Sequence, residues 1–272
     1  MLRLLFILTL FYSCVPAQKE SLTTGAATNP NAPSAWNKAG FPKQIYLSRE
    51  FSDNEAAELT KAVVSWNTHG GFTFSSVSST KVNDRSSVNN LNSLFDGEFG
   101  IYKAVNWHPN LPSTALAVTQ IFGVRQNVGT ASESIEIVEG DILINWTFPY
   151  APTNPYGYDL FTVTLHEMGH FLGLGHITNY ALQSVMYPSI GYSTFYLRPG
   201  SEDIRNIRSK YSIGVQALGA RAPASSTVTA PITKEQAQNS PDTVKIILEL
   251  HSDGTCKHYL NDQYLHQHHV EL

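Results

Sequence analysis

The sequence predicts an α+β domain, and three observations carry that prediction. Strand-like runs rich in β-branched and aromatic residues are grouped between helical patterns rather than alternating with them. With 42% of 272 residues hydrophobic and 15% charged, the chain can build a sizeable core yet is too polar for a multispan membrane protein. The only cysteines are Cys14 and Cys256, and Cys14 lies in an apolar leader, so a disulfide framework is excluded and stability must come from packing.

Charge narrows the function classes. A soluble average is about 25% charged residues; this chain has fewer, with abundant Gly, Ser, Thr and Asn, a balance common in exported proteins. The formal net charge is −4 and the pI about 6.2. That supplies no basic footprint for phosphate, so no nucleic-acid partner is expected.

Residues 1–17 read as an export signal: Arg3, then an apolar run from Leu4 to Tyr12, then small residues. Nine apolar residues fall short of the about 20 that span a bilayer as a helix. Two processing routes overlap. Val15-Pro16-Ala17 fits ordinary cleavage after Ala17, whereas Ser13-Cys14 resembles a lipoprotein box in which Cys14 becomes a lipidated N-terminus, although Phe11 and Tyr12 match that box poorly. Both routes predict export, either free secretion or lipid anchoring at the cell surface or periplasm. Residues 18–35 have almost no large apolar side chains and are expected to form a tether.

The main domain is expected over residues 36–213. Lys43–Ser48 reads as a strand. Ser52 and Glu55 then form an S-x-x-E capping box, and Ala56, Leu59, Val63 and Trp66 follow at helical spacing until Gly70-Gly71. Phe72–Val77, Gly100–Val105, Ala115–Phe122 and Asp141–Trp146 read as strands. Asp159 is placed to cap a helix running to about Leu172. Another helix is expected from Ser201, with Glu202 and Asp203 at its positive end and Ile204, Ile207 and Tyr211 on its apolar face. Residues 214–242 read as a linker of Ala, Ser, Thr, Pro and Gln. In the small tail 243–272, Thr243–Leu250 and Thr255–Leu260 flank the turn Ser252-Asp253-Gly254, which suggests a hairpin. The tail carries His251, His258, His266, His268 and His269 near Cys256, but their spacing matches no standard zinc pattern, so a solvated polar tail is expected.

Residues 166–176 read His-Glu-Met-Gly-His-Phe-Leu-Gly-Leu-Gly-His. On a helix His166 and His170 face the same way, one turn apart, and can bind one Zn²⁺. Glu167 projects beside the metal, where it can take a proton from a metal-activated water. Gly173 lets the backbone leave the helix, so that His176 can return as third ligand. Three protein ligands leave a position open, the mark of a catalytic rather than structural zinc. The short H-E-x-x-H arises by chance in such a composition roughly 2% of the time; requiring Gly173 and His176 lowers this to below about one in ten thousand. Imidazoles so dense are costly to bury without a metal or hydrogen-bond partner.

With Ser184-Val185-Met186-Tyr187-Pro188 following, the segment resembles the metzincin signature and its Met-turn. The Met-Tyr-Pro form is similar to the matrixin branch, as are Asp141–Asn145 (DILIN), Asp159-Leu160, Asp203-Ile204 and Tyr211. The resemblance implies a metzincin-type catalytic domain: a twisted mixed β-sheet, a zinc-binding helix and a C-terminal helix. It implies that Met186 floors the zinc ligands and that Pro188 and Ile190 wall the pocket for the residue after the scissile bond. Ile190 stands where relatives often have Tyr, and Ile177 where they often have Ser. Tyr187 directly follows Met186, so it does not match the Met-x-Tyr spacing of a tyrosine zinc ligand. A cysteine-switch motif is missing. His69 and His108 are isolated and expected in solvent-facing or capping roles, Asp96-Gly97-Glu98 reads as a turn, and no calcium site is assigned.

The expected function is a zinc-dependent endopeptidase, monomeric, acting on extracellular or surface proteins and peptides, with Glu167 as general base and then acid. The alternative is a lipid-anchored, zinc-stabilised binding or adhesion protein without significant turnover.

Overall fold

The first strand, β1 (Ser34–Trp36), is short and straddles the expected boundary: Ser34 and Ala35 belong to the stretch expected as tether, and Trp36 opens the expected domain. A computed structural model describes residues 29, 32–83, 91–152, 154–188, 190–192, 194–214, 230–253 and 255–268; the leader with Cys14, most of the tether and residues 215–229 lie outside them. After β1 come β2 (Lys43–Leu47), α1 (Asp53–Gly70), β3 (Ser75–Val77) and β4 (Phe99–Ala104). The Ser52 hydroxyl accepts from the Glu55 amide and Glu55 accepts from the Ser52 amide at 2.8 Å, while Gly71 ends α1 at φ +71°. These are the two ends that local sequence chemistry sets. Glu55 also accepts from the Lys103 ammonium at 2.7 Å, a buried ion pair joining α1 to β4.

Two long strands follow, β5 (Ala115–Gln126) and β6 (Ser134–Asn145). Each extends well beyond the residues expected, because the antiparallel arm continues past a bulge at Phe122/Gly123. The small parallel pair β7 (Tyr150–Ala151) and β8 (Tyr158–Asp159) leads into α2 (Leu160–Phe171), and α3 (Ser201–Lys210) comes after an irregular loop. Last come α4 (Lys234–Gln238), β9 (Thr243–His251), β10 (Cys256–Leu260) and β11 (Gln263–His268).

The strands form one mixed sheet in the order β11-β10-β9-β5-β6-β4-β2-β3. β6 is its axis. One edge of β6 pairs in parallel with β1 and β4 at different heights; the other pairs antiparallel with β5 along its whole length. The main core lies between this sheet and helices α1, α2 and α3, around Trp66, Phe74, Ile144, Val163, Met168 and Ile207. A smaller core, with Leu94, Tyr102, Val118, Leu143 and Ile247, covers part of the opposite face.

The C-terminal segment does not stand apart as composition suggested. β9 adds to the outer edge of β5 in nine register pairs, from Ala115↔His251 to Val124↔Thr243. The described end of the linker, residues 230–242, docks too: the Ile232 amide donates to Glu136 at 2.9 Å, Lys234 donates to the Asp96 carbonyl at 2.8 Å, and Ala237 is buried. The solvated polar tail is corrected in the same way. His251 and Cys256 are fully buried: Cys256 lies opposite Leu250 on the face of β9 that packs on the main core, and His251, on the other face, contacts Glu249 at 3.0 Å and the Thr114 hydroxyl at 2.9 Å. His108 is likewise buried rather than solvent-facing, and its Nδ1 accepts from the Asn110 amide at 3.1 Å. His69 bonds the Ser65 carbonyl at 2.9 Å near the end of α1. Gly97 turns at φ +88°, and Asp96 accepts from the Glu98 amide.

Candidate metal and catalytic centre

α2 is buried on nearly all sides, as its apolar sequence requires. Asp159 caps it, accepting from the Thr162 amide at 2.9 Å. At the other end, the Trp36 indole donates to the Phe171 carbonyl at 2.7 Å and the Tyr211 hydroxyl to the Leu172 carbonyl at 2.9 Å. Carbonyls left open where a helix ends are thereby satisfied. Gly173 has φ +81°, and a Cβ there would stand 2.5 Å from the Ser34 carbonyl oxygen. Only glycine fits, and the chain reverses.

That reversal brings three imidazoles together. The ligand atoms of His166, His170 and His176 all lie within 4.8 Å of one another. His166 Nδ1 sits 2.8 Å from the Val185 carbonyl, and His170 Nδ1 sits 2.9 Å from the Leu174 carbonyl. A carbonyl can only accept, so each Nδ1 carries the proton and each Nε2 keeps its lone pair. His166 Nε2 is buried and has no protein partner among the described residues. His170 Nε2 and His176 Nε2 are 3.0 Å apart, near the about 3.3 Å that two ligands take around a tetrahedral zinc at about 2.0–2.1 Å. This donor set fits a zinc ion. Burial lowers the His166 pKa to about 4, which keeps the ring neutral and ready to ligate.

Glu167 is fully buried beside them. Its Oε2 accepts from the Thr119 hydroxyl on β5, and its Oε1 has no protein partner among the described residues. Burial pushes its pKa up to about 8, against the Thr119 hydrogen bond. A dication nearby favours the ionised carboxylate and opposes that rise.

Met186 lies beneath α2. A Cβ on Gly169 would meet its sulfur at 2.2 Å, so glycine at 169 is what lets the Met-turn approach. Asp203, at the start of α3, holds this turn. It accepts from the Ser184 hydroxyl at 2.5 Å, the Val185 amide at 2.7 Å and the Gly200 amide at 2.8 Å. Pro188 and Ile190 are buried, Ile190 within the main core. The Tyr187 hydroxyl donates to the Leu182 carbonyl, and the Ile177 amide donates to the Met186 carbonyl at 2.8 Å.

Sequence reasoning missed one neighbour of the centre, Thr119, and assigned two others, His258 and Cys256, to a solvated tail. His258 Nε2 lies 3.0 Å from His176 Nδ1. His176, Cys256 and His258 form a second group whose ligand atoms lie within 4.8 Å of one another. Burial, then the charges of Glu167 and Glu249, raise the Cys256 thiol pKa well above its ordinary value. The i, i+2 spacing of Cys256 and His258 on a strand was the available signal, since it puts both on one face.

Comparison with known proteins agrees with this geometry. The matrixin family model matches residues 48–212. Metalloendoproteinase 1 of Glycine max is 45% identical over 56 residues, 21% of this chain and 18% of its own length. Macrophage metalloelastase of Oryctolagus cuniculus is 41% identical over 69 residues, covering 24% of this chain and 13% of that protein. Stromelysin-2 of Rattus norvegicus is 40% identical over 80 residues, 29% and 15% of the two chains. Each match thus spans under a fifth of the relative's length. Fold and centre define a metzincin-type metalloprotease domain, α+β in class. Within that class the chain belongs to the matrixin family.

Proposed function

We propose that the protein is a zinc-dependent endopeptidase that hydrolyses peptide bonds in extracellular or surface protein substrates. The observation that carries this reading is the convergence of His166, His170 and His176 beside the buried carboxyl of Glu167. Zinc bound there would polarise the scissile carbonyl and acidify a water.

The remaining chemistry belongs to the chain's own residues. Thr119 holds Glu167 Oε2 and fixes the carboxyl, leaving Oε1 to act. Glu167 takes the proton of the attacking water and then delivers it to the leaving amine nitrogen. Its dry surroundings strengthen every charge interaction made there. Met186 floors the ligands, and Pro188 and Ile190 wall the pocket for the residue after the scissile bond. The chain acts as a monomer after export, released beyond Ala17 or tethered through Cys14.

A peptide library incubated with the full chain, with and without a chelator, tests the reading. Chelator-sensitive cleavage is expected, and Glu167→Ala should retain zinc while losing activity by orders of magnitude. Silence across the library from zinc-loaded protein would favour a zinc-stabilised binding protein instead.

A further inference from the structure

The first two histidines of the centre are held by nearby backbone carbonyls, His166 by Val185 and His170 by Leu174. His176 differs. It lies past Gly173, off the end of α2, and the group at its Nδ1 is a side chain from far along the sequence: His258 Nε2, at 3.0 Å. The two nitrogens of His176 thus face different neighbours. Nε2 stands 3.0 Å from His170 Nε2, on the side where the ion would sit, and must offer its lone pair there. A neutral imidazole carries one proton, so that proton is on Nδ1 and points at His258, whose Nε2 accepts it. All three ligands therefore take the same tautomer, each with an acceptor behind it.

Sheet register explains how a residue of the C-terminal hairpin comes to be there. Thr119 on β5 pairs with Leu248 on β9, Leu248 with His258 on β10, and His258 with His266 on β11. Directly opposed residues point to the same face, and Leu248 packs into the main core, on the face that holds α2. One row across four strands therefore faces the centre. Thr119 in this row bonds the Glu167 carboxyl, and His258 in the same row bonds the third histidine. His266 backs the His258 ring, stacked with centroids 4.4 Å apart. β9, β10 and β11 all lie beyond residues 48–212, the part that matches the matrixin family.

We propose that His258 is a positioning residue of the metal centre: by accepting the Nδ1 proton of His176 it fixes the plane of that ring and strengthens Nε2 as a donor toward the metal. This role presupposes the zinc-endopeptidase reading. It makes the C-terminal hairpin a working part of the centre, with β10 supplying for His176 what the backbone supplies for His166 and His170.

Two measurements on the full chain test this. Nuclear magnetic resonance of the zinc-loaded wild type, with isotope-labelled histidine, should show a nitrogen–nitrogen coupling across the hydrogen bond from His176 Nδ1 to His258 Nε2. Zinc-loaded protein without that coupling, with the His258 proton on Nε2, would overturn the proposal, and this arm needs no variant to fold. Zinc affinity by competition titration is the second readout. A cavity of about 370 Å³ adjoins His176 and His258, so truncation to alanine would admit water as a substitute acceptor; His258→Leu fills the space and accepts nothing. Its zinc affinity should fall about 10–100-fold. His258→Gln, whose Oε1 stands as many bonds from Cα as the imidazole Nε2 does, should stay near wild type. Equal affinity in the Leu and Gln variants would show that the hydrogen bond does not matter and would overturn the proposal. Absence of zinc binding in wild type as well as both variants would instead remove the three-histidine centre itself, and with it the endopeptidase reading.

Discussion

The Val185 amide donates to Asp203 Oδ2 at 2.7 Å, and the carbonyl of the same Val185 accepts from His166 Nδ1 at 2.8 Å. One residue therefore links the first turn of α3 to the first proposed metal ligand. Asp203 is fully buried in this arrangement, and its pKa is raised by burial against the three hydrogen bonds it accepts.

Asp203→Ala should thus act at two levels. Three donors lose their acceptor inside the protein, and unsatisfied buried groups cost about 1–3 kcal/mol each. We expect about 3 kcal/mol lower stability by urea unfolding of the metal-free protein. Zinc affinity should fall about 10–100-fold, the usual effect of losing a group that orients a ligand. Unchanged affinity in a competition titration would mean that the Val185 carbonyl orients His166 without help from α3.

Gly173 and Gly175 form an internal control within one turn. Gly173→Ala places a methyl at φ +81° and 2.5 Å from the Ser34 carbonyl, whereas a Cβ on Gly175 meets nothing within 4 Å. The left-handed conformation alone costs roughly 1–2 kcal/mol for an L-residue, and β1 must shift as well. Gly173→Ala should lose at least about 2 kcal/mol and weaken zinc binding, because it misdirects His176. Gly175→Ala should do neither. Thermal unfolding and zinc titration of both variants check this.

Glu139 sets a pH dependence away from the metal centre. Burial pushes its pKa up to about 8, with the Gly97 amide opposing, Asp96 adding to the rise, and Lys234 and Lys43 opposing. The folded state holds the proton more tightly than the unfolded chain. Its contribution is full below about pH 4.5 and declines as pH rises toward about 8, by at most about 1.4 kcal/mol per pH unit. Glu139→Gln keeps an acceptor for Gly97 without the charge. It should be unchanged relative to wild type at about pH 5 and more stable at about pH 8. Parallel urea midpoints for the two proteins would contradict this assignment.

What the sequence disclosed was local. The Ser52–Glu55 box, the glycine ending α1 and the His166–His176 run are patterns within one or two turns, where spacing alone sets geometry. What it hid was long-range. Thr119 reaches Glu167 across 48 residues, and nothing in the Val-Thr-Gln run around it marks a hydroxyl that must face a carboxyl. The arm from Gly123 to Ile137 reads as broken by glycine and charge, yet the bulge at Phe122/Gly123 keeps the strands paired. Residues 214–242 resemble a linker because short polar side chains dominate. The docking of residues 230–242 depends on a few contacts, such as Ile232 to Glu136, that composition does not register. The C-terminal hairpin was visible as two runs about a turn, but its partner strand lies more than a hundred residues away in sequence.

The central claim is that His166, His170 and His176 hold one zinc ion. Elemental analysis of the full chain, purified without added metal and dialysed against trace zinc, tests it most directly. About one zinc per chain is predicted for wild type and for Glu167→Ala, with substoichiometric metal in His166→Ala, His170→Ala and His176→Ala. Wild-type protein that is folded yet holds no stoichiometric metal, or single histidine variants that retain it in full, would contradict the account.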